Sequence, residues 1–526
     1  MSTTLLILYG VFATLVLGLY FLVPRKYRYI IILVASLTFF AIYSKFMIAF
    51  ILATILSIYF AGLGMNKLDD KLAKTIAEGE FDKEQKKALK AKNKKKKKAI
   101  LVVAILFNLA ILAVLKYSGF FASIFEGIFS WFSVTTSFPV LKLALPLGIS
   151  YYTLSSIGYM VDVQRGKYRA DKNILKVALF VCYFPQLFEG PFAKYDELAP
   201  QLYEGHDFDA KRVFKGLLLA IWGLLKKIVI ADRLAIIASE VFANYAQYNG
   251  IVIVFGIICF TFQLYAEFSG LIDMASGISE MFGIKLTKNF DQPFFSQNVN
   301  EFWRRWHISL GTWFKEYIFY PISMSKGMMN LNKKMHGKVK PFFELFIPSA
   351  LALFVVWFTN GLWHGASFQY VLYGLYYYLI MMIGMCLEPL FNKIYEKTKI
   401  NKDSKVMVVL RILRTFVLVN IGMLLFRASS ITAFGEMFAQ IFSGGDISIV
   451  GTGIIDWHDF VLCLLGIIVL IVVDVFKERK VDFREKLSNK HFAIKALVCV
   501  AIVVVVLVFG AFGGEYIPPD PIYGGF

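Results

Sequence analysis

The sequence predicts an all-α polytopic integral membrane protein. Three observations predict it: 58% of the 526 residues are hydrophobic, the mean hydropathy is +0.63, and long apolar runs recur along the whole chain. An average soluble domain is only about 45–50% apolar, so this excess calls for a non-aqueous solvent. The runs cover 5–23, 30–43, 47–63, 99–115, 351–358 and on past His364, 415–426, 460–473 and 496–512. A helix needs roughly 20 apolar residues to span a bilayer. Several runs approach that length, and the shorter ones are expected to be tilted, broken or buried.

The first run has no basic start and is followed by Pro24-Arg25-Lys26 instead of a small-residue cleavage site. It therefore reads as the first membrane helix, not as a removed signal. Arg25, Lys26 and Arg28 follow it, and a basic stretch at 65–98 follows the third run, with lysine at every position from 94 to 98. Short basic loops face the cytoplasm, which predicts an extracytoplasmic N-terminus. Lys326, Lys333, Lys334, Lys338 and Lys340 mark another cytoplasmic loop. Lys477, Arg479, Lys480, Arg484, Lys486 and Lys490 precede the last run, so the C-terminus is also expected outside. The count of helices comes to about 11 or more, some of them re-entrant.

The net charge of +19 raises nucleic acid as a partner. The excess lies in short loops between apolar runs, so no nucleic acid is expected, and the lysine run reads as an anchor to inner-leaflet membrane lipids. Cys182, Cys259, Cys386, Cys463 and Cys499 lie in or beside apolar segments without a CxxC pair. They read as small buried hydrophobes, with no disulfide and no metal site. Neither a nucleotide-binding loop nor a dinucleotide fingerprint is present. Any chemistry must occur inside the bundle.

Polar residues inside the membrane are costly and mark function by default. NEFWRRWHISLGTWFKEYIFYPI (300–322) carries one such cluster. If it is helical through Leu310, Asn300, Arg304, His307 and Gly311 share a face, with Glu301 in reach of Arg304 and Arg305. The arginines would bind an anionic phosphate-bearing donor, or snorkel to the interface among Trp303, Trp306 and Trp313. FTNGLWHGASF (358–368) carries a second cluster. Gly361 and Gly365 form a GxxxG pair suited to close helix packing. Asn360 lies one turn before His364 and could orient its ring, leaving the other nitrogen as a base. In FQLYAEFSGLIDMASG (262–277), Glu267 and Asp273 are expected to hold the bundle together, one of them partnering an arginine of the Trp303 segment.

These segments, with LPLGISYYTLSSIGYMVDVQRGK (145–167) and YFPQLFEGPFAKY (183–195), resemble the membrane-bound O-acyltransferase (MBOAT) superfamily. The resemblance points to its bacterial branch, which holds the alginate O-acetylation membrane subunit and the teichoic acid D-alanine exporter. It implies a ring of helices around a funnel, with catalytic histidines at His364 and His307. It also implies one membrane domain, 1–526, with a basic cytoplasmic loop at 65–98, a catalytic core at 120–390, C-terminal helices at 405–512 and an extracytoplasmic tail at 513–526. The alginate-type pattern has aromatic-Asp-Phe-Ser-Gly where this chain reads Tyr265-Ala266-Glu267-Phe268-Ser269-Gly270, which leaves the sugar acceptor open.

The implied reaction moves an acetyl group from cytoplasmic acetyl-CoA, a substrate and not a bound cofactor, to a cell-wall or exported polysaccharide. An alcohol is a weak nucleophile, so a base must take its proton as it attacks. His364 is expected in that role, His307 at the developing charge, and Arg304, Arg305 and Asn300 on the donor. D-alanyl transfer from an acyl carrier protein, or transport without chemistry, are the alternatives. The final PPDPIYGGF (518–526) resembles the aromatic-x-Tyr-x-x-Phe tail of acyl-transfer partners in this family, with Pro521 in place of the first aromatic. It implies Tyr523 as an acyl relay to an extracytoplasmic acetyltransferase of SGNH-hydrolase type.

Overall fold

The computed structural model describes residues 3–132, 145–446 and 456–512. The 513–526 tail with Tyr523 lies outside the described residues. The described residues form an all-helical ring. It opens with α1 (Thr3–Leu22), α2 (Arg28–Ser44), α3 (Ile48–Glu78) and α4 (Lys83–Trp131). Next come α5 (Ile149–Arg165), α6 (Ile174–Cys182), α7 (Phe184–Glu189), α8 (Tyr195–Glu204), α9 (Ala210–Leu225) and α10 (Asp232–Ala243). The centre is α11 (Gly250–Phe282), followed by the short α12 (Val299–Arg305), α13 (Ile308–Phe314), α14 (Tyr320–Ser323) and α15 (Lys326–Met335). The chain closes with α16 (Pro341–His364), α17 (Phe368–Thr398), α18 (Lys405–Arg427), α19 (Ile431–Gln440), α20 (Trp457–Glu478), α21 (Phe483–Ser488) and α22 (Phe492–Phe509).

Nine helical runs among the described residues are long and apolar enough to cross a membrane, and one of them, Arg25–Glu78, bends at Lys45 into α2 and α3. Counting the two arms of that bend separately gives ten apolar helices among the described residues; the 17-residue α5 and the continuous run formed by α9 and α10 are not among them. Leu15, Phe60, Val103, Leu345 and Leu497 point outward. Such side chains would be a liability in water and are in their solvent in lipid. This is a multi-pass membrane protein.

The basic stretch 65–98 is helical, contrary to the expected loop. Lysine and alanine are good helix formers, so α3 and α4 run on past the apolar zone and meet in a tight turn at Gly79. Asp82 restarts the helix through a capping box: its carboxylate accepts from the Gln85 N–H (2.7 Å) and the Gln85 side chain accepts from the Asp82 N–H (3.1 Å). Lys97 and Asn93 both donate to Asp69 across the hairpin, at 2.6 and 2.8 Å. Ion pairs tie helix ends to neighbouring segments: Arg28 of α2 to Asp207 (3.7 Å), Arg169 to Asp70 of α3 (2.6 Å), Lys194 to Glu316 (2.5 Å) and Arg484 of α21 to Glu280 of α11 (2.6 Å).

Inside the ring α11 is the axle. It packs backbone to backbone on α9, where a Cβ on Gly223 would stand 2.4 Å from the Gly270 carbonyl and one on Gly216 2.5 Å from that of Gly277. This approach brings in a π-helical turn, Lys226–Ala231. Lys227, wholly buried, pairs with Glu267 and Asp232 at 2.7 Å each, and Lys226 pairs with Asp273 at 2.8 Å and donates to Ser269 at 2.8 Å. The expected arginine partner from the Trp303 segment is therefore replaced by lysines of the α9–α10 run. Burying a carboxylate without a partner costs several kcal/mol, and the lysines stand where α9 touches α11.

Candidate active site

The helix expected over 300–310 is broken. It ends at Arg305, and His307 stands in the left-handed region (φ 48, ψ 50) before α13 begins. The common face through Asn300, Arg304, His307 and Gly311 does not exist. The break is held by residues 289–291: the Asp291 N–H donates to the Arg305 carbonyl (2.9 Å) and the Ile308 N–H to that of Asn289 (3.0 Å). Non-helical backbone inside a membrane protein is tolerated where protein surrounds it, and His307 is only 2% exposed.

The break fixes the chemistry of the ring. Asn289 Oδ1 accepts from the Ser309 N–H at 3.1 Å and from Ser309 Oγ at 2.8 Å. Because the backbone N–H can only donate, that atom is the amide oxygen. His307 Nδ1, 3.2 Å away, must then donate to it. In the neutral ring Nε2 holds the lone pair. Phe192 stacks on the imidazole at 5.9 Å, and its own N–H donates to Ser309 Oγ at 3.0 Å; Phe268 meets the ring edge-on at 4.7 Å.

His364 is the last residue of α16 and is 1% exposed. Its ring lies 5.0 Å from that of Trp363, which in turn lies 5.6 Å from His307. The two histidines thus flank one indole although they are 57 positions apart. Tyr373 and Phe426 pack edge-on against His364 at 5.4 Å each. Asn360 is buried one turn earlier. The glycines do what GxxxG packing requires, since a Cβ on Gly361 would stand 2.4 Å from the Tyr370 carbonyl of α17.

The two arginines part company. Arg305, expected on the donor, is paired with Glu301 (2.9 Å) and Glu478 (2.8 Å), so it ties α12 to α20 and does not line the cleft that Arg304 lines. Arg304 and Asn300 are exposed and line a cleft of about 640 Å³ with Lys402, Arg411 and Arg414. Arg411 Nε is buried there without a hydrogen-bond partner among the described residues. Between cleft and histidine stand Trp303, 6.4 Å from Tyr373, and Tyr373 itself. Sequence reasoning missed Asn289, Phe192, Lys402, Arg411 and Arg414. The i, i+3 arginines on an apolar helix were a usable signal for the last pair; Asn289 offered none. No group of three or more metal-ligating side chains occurs among the described residues.

Two buried imidazoles thus flank one indole inside the helical bundle. The profile of the MBOAT, membrane-bound O-acyltransferase family matches residues 164–335, which include His307. The probable alginate O-acetylase AlgI of Pseudomonas syringae pv. tomato is 32% identical over 440 residues, 83% of this chain and 74% of that one. The peptidoglycan O-acetyltransferase of Helicobacter pylori is 30% identical over 357 residues, 63% and 62% of the two chains. The teichoic acid D-alanyltransferase of Bacillus subtilis is 28% identical over 295 residues, 53% and 68%. The chain belongs to the membrane-bound O-acyltransferase family, and it is an O-acyltransferase.

Proposed function

We propose that this protein takes an acetyl group from cytoplasmic acetyl-CoA and passes it across the membrane for O-acetylation of a cell-wall or exported polysaccharide. The observation that carries this reading is the reach of the similarity, 440 residues with an alginate O-acetylase against 295 with a D-alanyltransferase. The face that gathers the basic ends of α3, α4 and α5 is the cytoplasmic one, and both termini lie outside. The donor's phosphates bind Arg304, Arg411, Arg414 and Lys402, whose guanidinium and ammonium groups suit them, with Asn300 beside them. Thiol and acetyl extend past Trp303 and Tyr373 toward His364.

There the acceptor oxygen attacks the thioester carbonyl while His364 takes its proton. The C–S bond breaks as the tetrahedral intermediate collapses, and the proton leaves with the CoA thiol. Asn360 orients the His364 ring, and His307, whose Nε2 lone pair accepts and does not donate, positions the donor beside it. The first acceptor is the phenol of Tyr523, whose ester is more reactive than a sugar ester. An SGNH-type extracytoplasmic acetyltransferase then moves the acetyl group to the polymer. The test is thiol release from acetyl-CoA by the protein in proteoliposomes, with mass analysis of the C-terminal peptide. Release of thiol together with acetyl-Tyr523 is expected. Thiol release only from a D-alanyl carrier, or none from either donor, would overturn the reading.

A further inference from the structure

The last four carbonyls of any helix lack intrahelical partners, and helices very commonly close them by folding back through a left-handed residue. The helix that carries His364 does not. Gly365 is extended (φ −179, ψ 162), so the chain leaves straight and the carbonyls must be met from elsewhere. Two neighbours in sequence on α4 meet them. Tyr117 Oη donates to the Leu362 carbonyl at 2.7 Å, and Lys116 Nζ donates to the Trp363 carbonyl at 2.7 Å. Lys116 also reaches Ser150 Oγ at 3.5 Å and lies over the ring of Trp363 at 5.8 Å.

The Trp363 carbonyl is half of the peptide plane whose other half is the His364 nitrogen. Fixing that oxygen fixes the plane, and with it the direction in which the His364 Cβ leaves the backbone. The ammonium also sits at the negative end of the α16 dipole, where a cation is favoured. α4 itself packs on α3 and α5, so these two side chains link the end of α16 to another part of the ring. We infer that Lys116 and Tyr117 are positioning residues that aim the His364 ring, through the two carbonyls that precede it. This rests on the reading of His364 as the reacting base.

The test compares wild type with Lys116→Met, Tyr117→Phe and Lys116→Arg as full-length protein in lipid nanodiscs. Diethyl pyrocarbonate acylates unprotonated imidazole, and peptide mass spectrometry reads His364 and His307 separately, so His307 is the internal reference. In Lys116→Met and Tyr117→Phe the His364 rate should change about fivefold or more while His307 stays within about twofold, the weight of one lost hydrogen bond. Lys116→Arg keeps a cation and donor and should return most of the wild-type rate. Equal changes at both histidines, or none at either, would overturn the proposal. If Lys116→Met does not fold, Tyr117→Phe, which loses one oxygen, decides alone. With acetyl-CoA, Tyr117→Phe should lower kcat about fivefold at unchanged donor KM; a rise in KM alone contradicts the assignment. A wild type that releases no thiol refutes the acetyl-transfer reading, while the acylation ratio still decides the positioning.

Discussion

Asn289 illustrates how much of a site can hang on one amide. It holds His307 in a single tautomer and in a left-handed backbone conformation that a non-glycine residue adopts at some cost. Asn289→Ala should therefore lower kcat by about 10-fold or more, part of the 10²–10⁴ that positioned acid–base groups supply, with donor KM unchanged. Steady-state thiol release measures this, and an unchanged kcat would show that His307 needs no such orientation. The histidines were legible in the sequence because each sits in a short motif. Asn289 was not, because its contact spans 18 positions across a break that helical periodicity cannot foresee. Arg304 and Arg305, read as a pair, serve different neighbours because adjacent residues of α12 point to different sides of the helix.

At the scale of elements, close backbone packing decides the position of α16 on α17. A Cβ on Gly374 would lie 2.2 Å from the Trp357 carbonyl, whereas one on Gly384 of the same helix meets nothing within 4 Å. Alanine is worth about 1 kcal/mol more than glycine in a helix, but overpacking costs about 1–3 kcal/mol. Gly384→Ala should thus raise the thermal midpoint in detergent and Gly374→Ala should lower it. Both moving the same way would contradict this packing. The lysine-rich hairpin marks where sequence reading stopped short: charge density suggested a loop at 65–98, but a run of good helix formers with a capping box has no reason to be one. Near the start of α9, hydrogen bonds from Lys211 and Lys215 hold the Glu485 carboxyl down to about 2. A depressed carboxylate contributes stability above its unfolded value of about 4.3, and that contribution is lost as pH falls toward 2. Both partners are partly exposed, so the effect is small. Thermal midpoints of wild type and Glu485→Gln should differ at neutral pH and converge as pH falls through that window; a constant gap would contradict the ion pair.

For the whole molecule, the ring brings together what the chain keeps apart. The fold class was legible from hydropathy alone because lipid-facing residues must be apolar on every outer helix. The cleft was not, since Arg304 on α12 and Arg411 and Arg414 on α18 converge only after more than a hundred intervening residues have closed the ring. If the cleft takes the donor's phosphates, Arg304→Ala should raise donor KM about tenfold at unchanged kcat, the signature of lost uniform binding. An unchanged KM would return Arg304 to the role of an interfacial anchor.

The central claim is that acyl transfer runs through His364. Its most direct test is the rate of thiol release from acetyl-CoA by purified His364→Ala in proteoliposomes, beside wild type and with a thermal melt of each. Removal of the base should cut kcat by about 10²–10⁴ while the melt stays close to wild type, because the protein is left folded and merely without its proton acceptor. A His364→Ala protein that releases thiol at the wild-type rate would contradict the account.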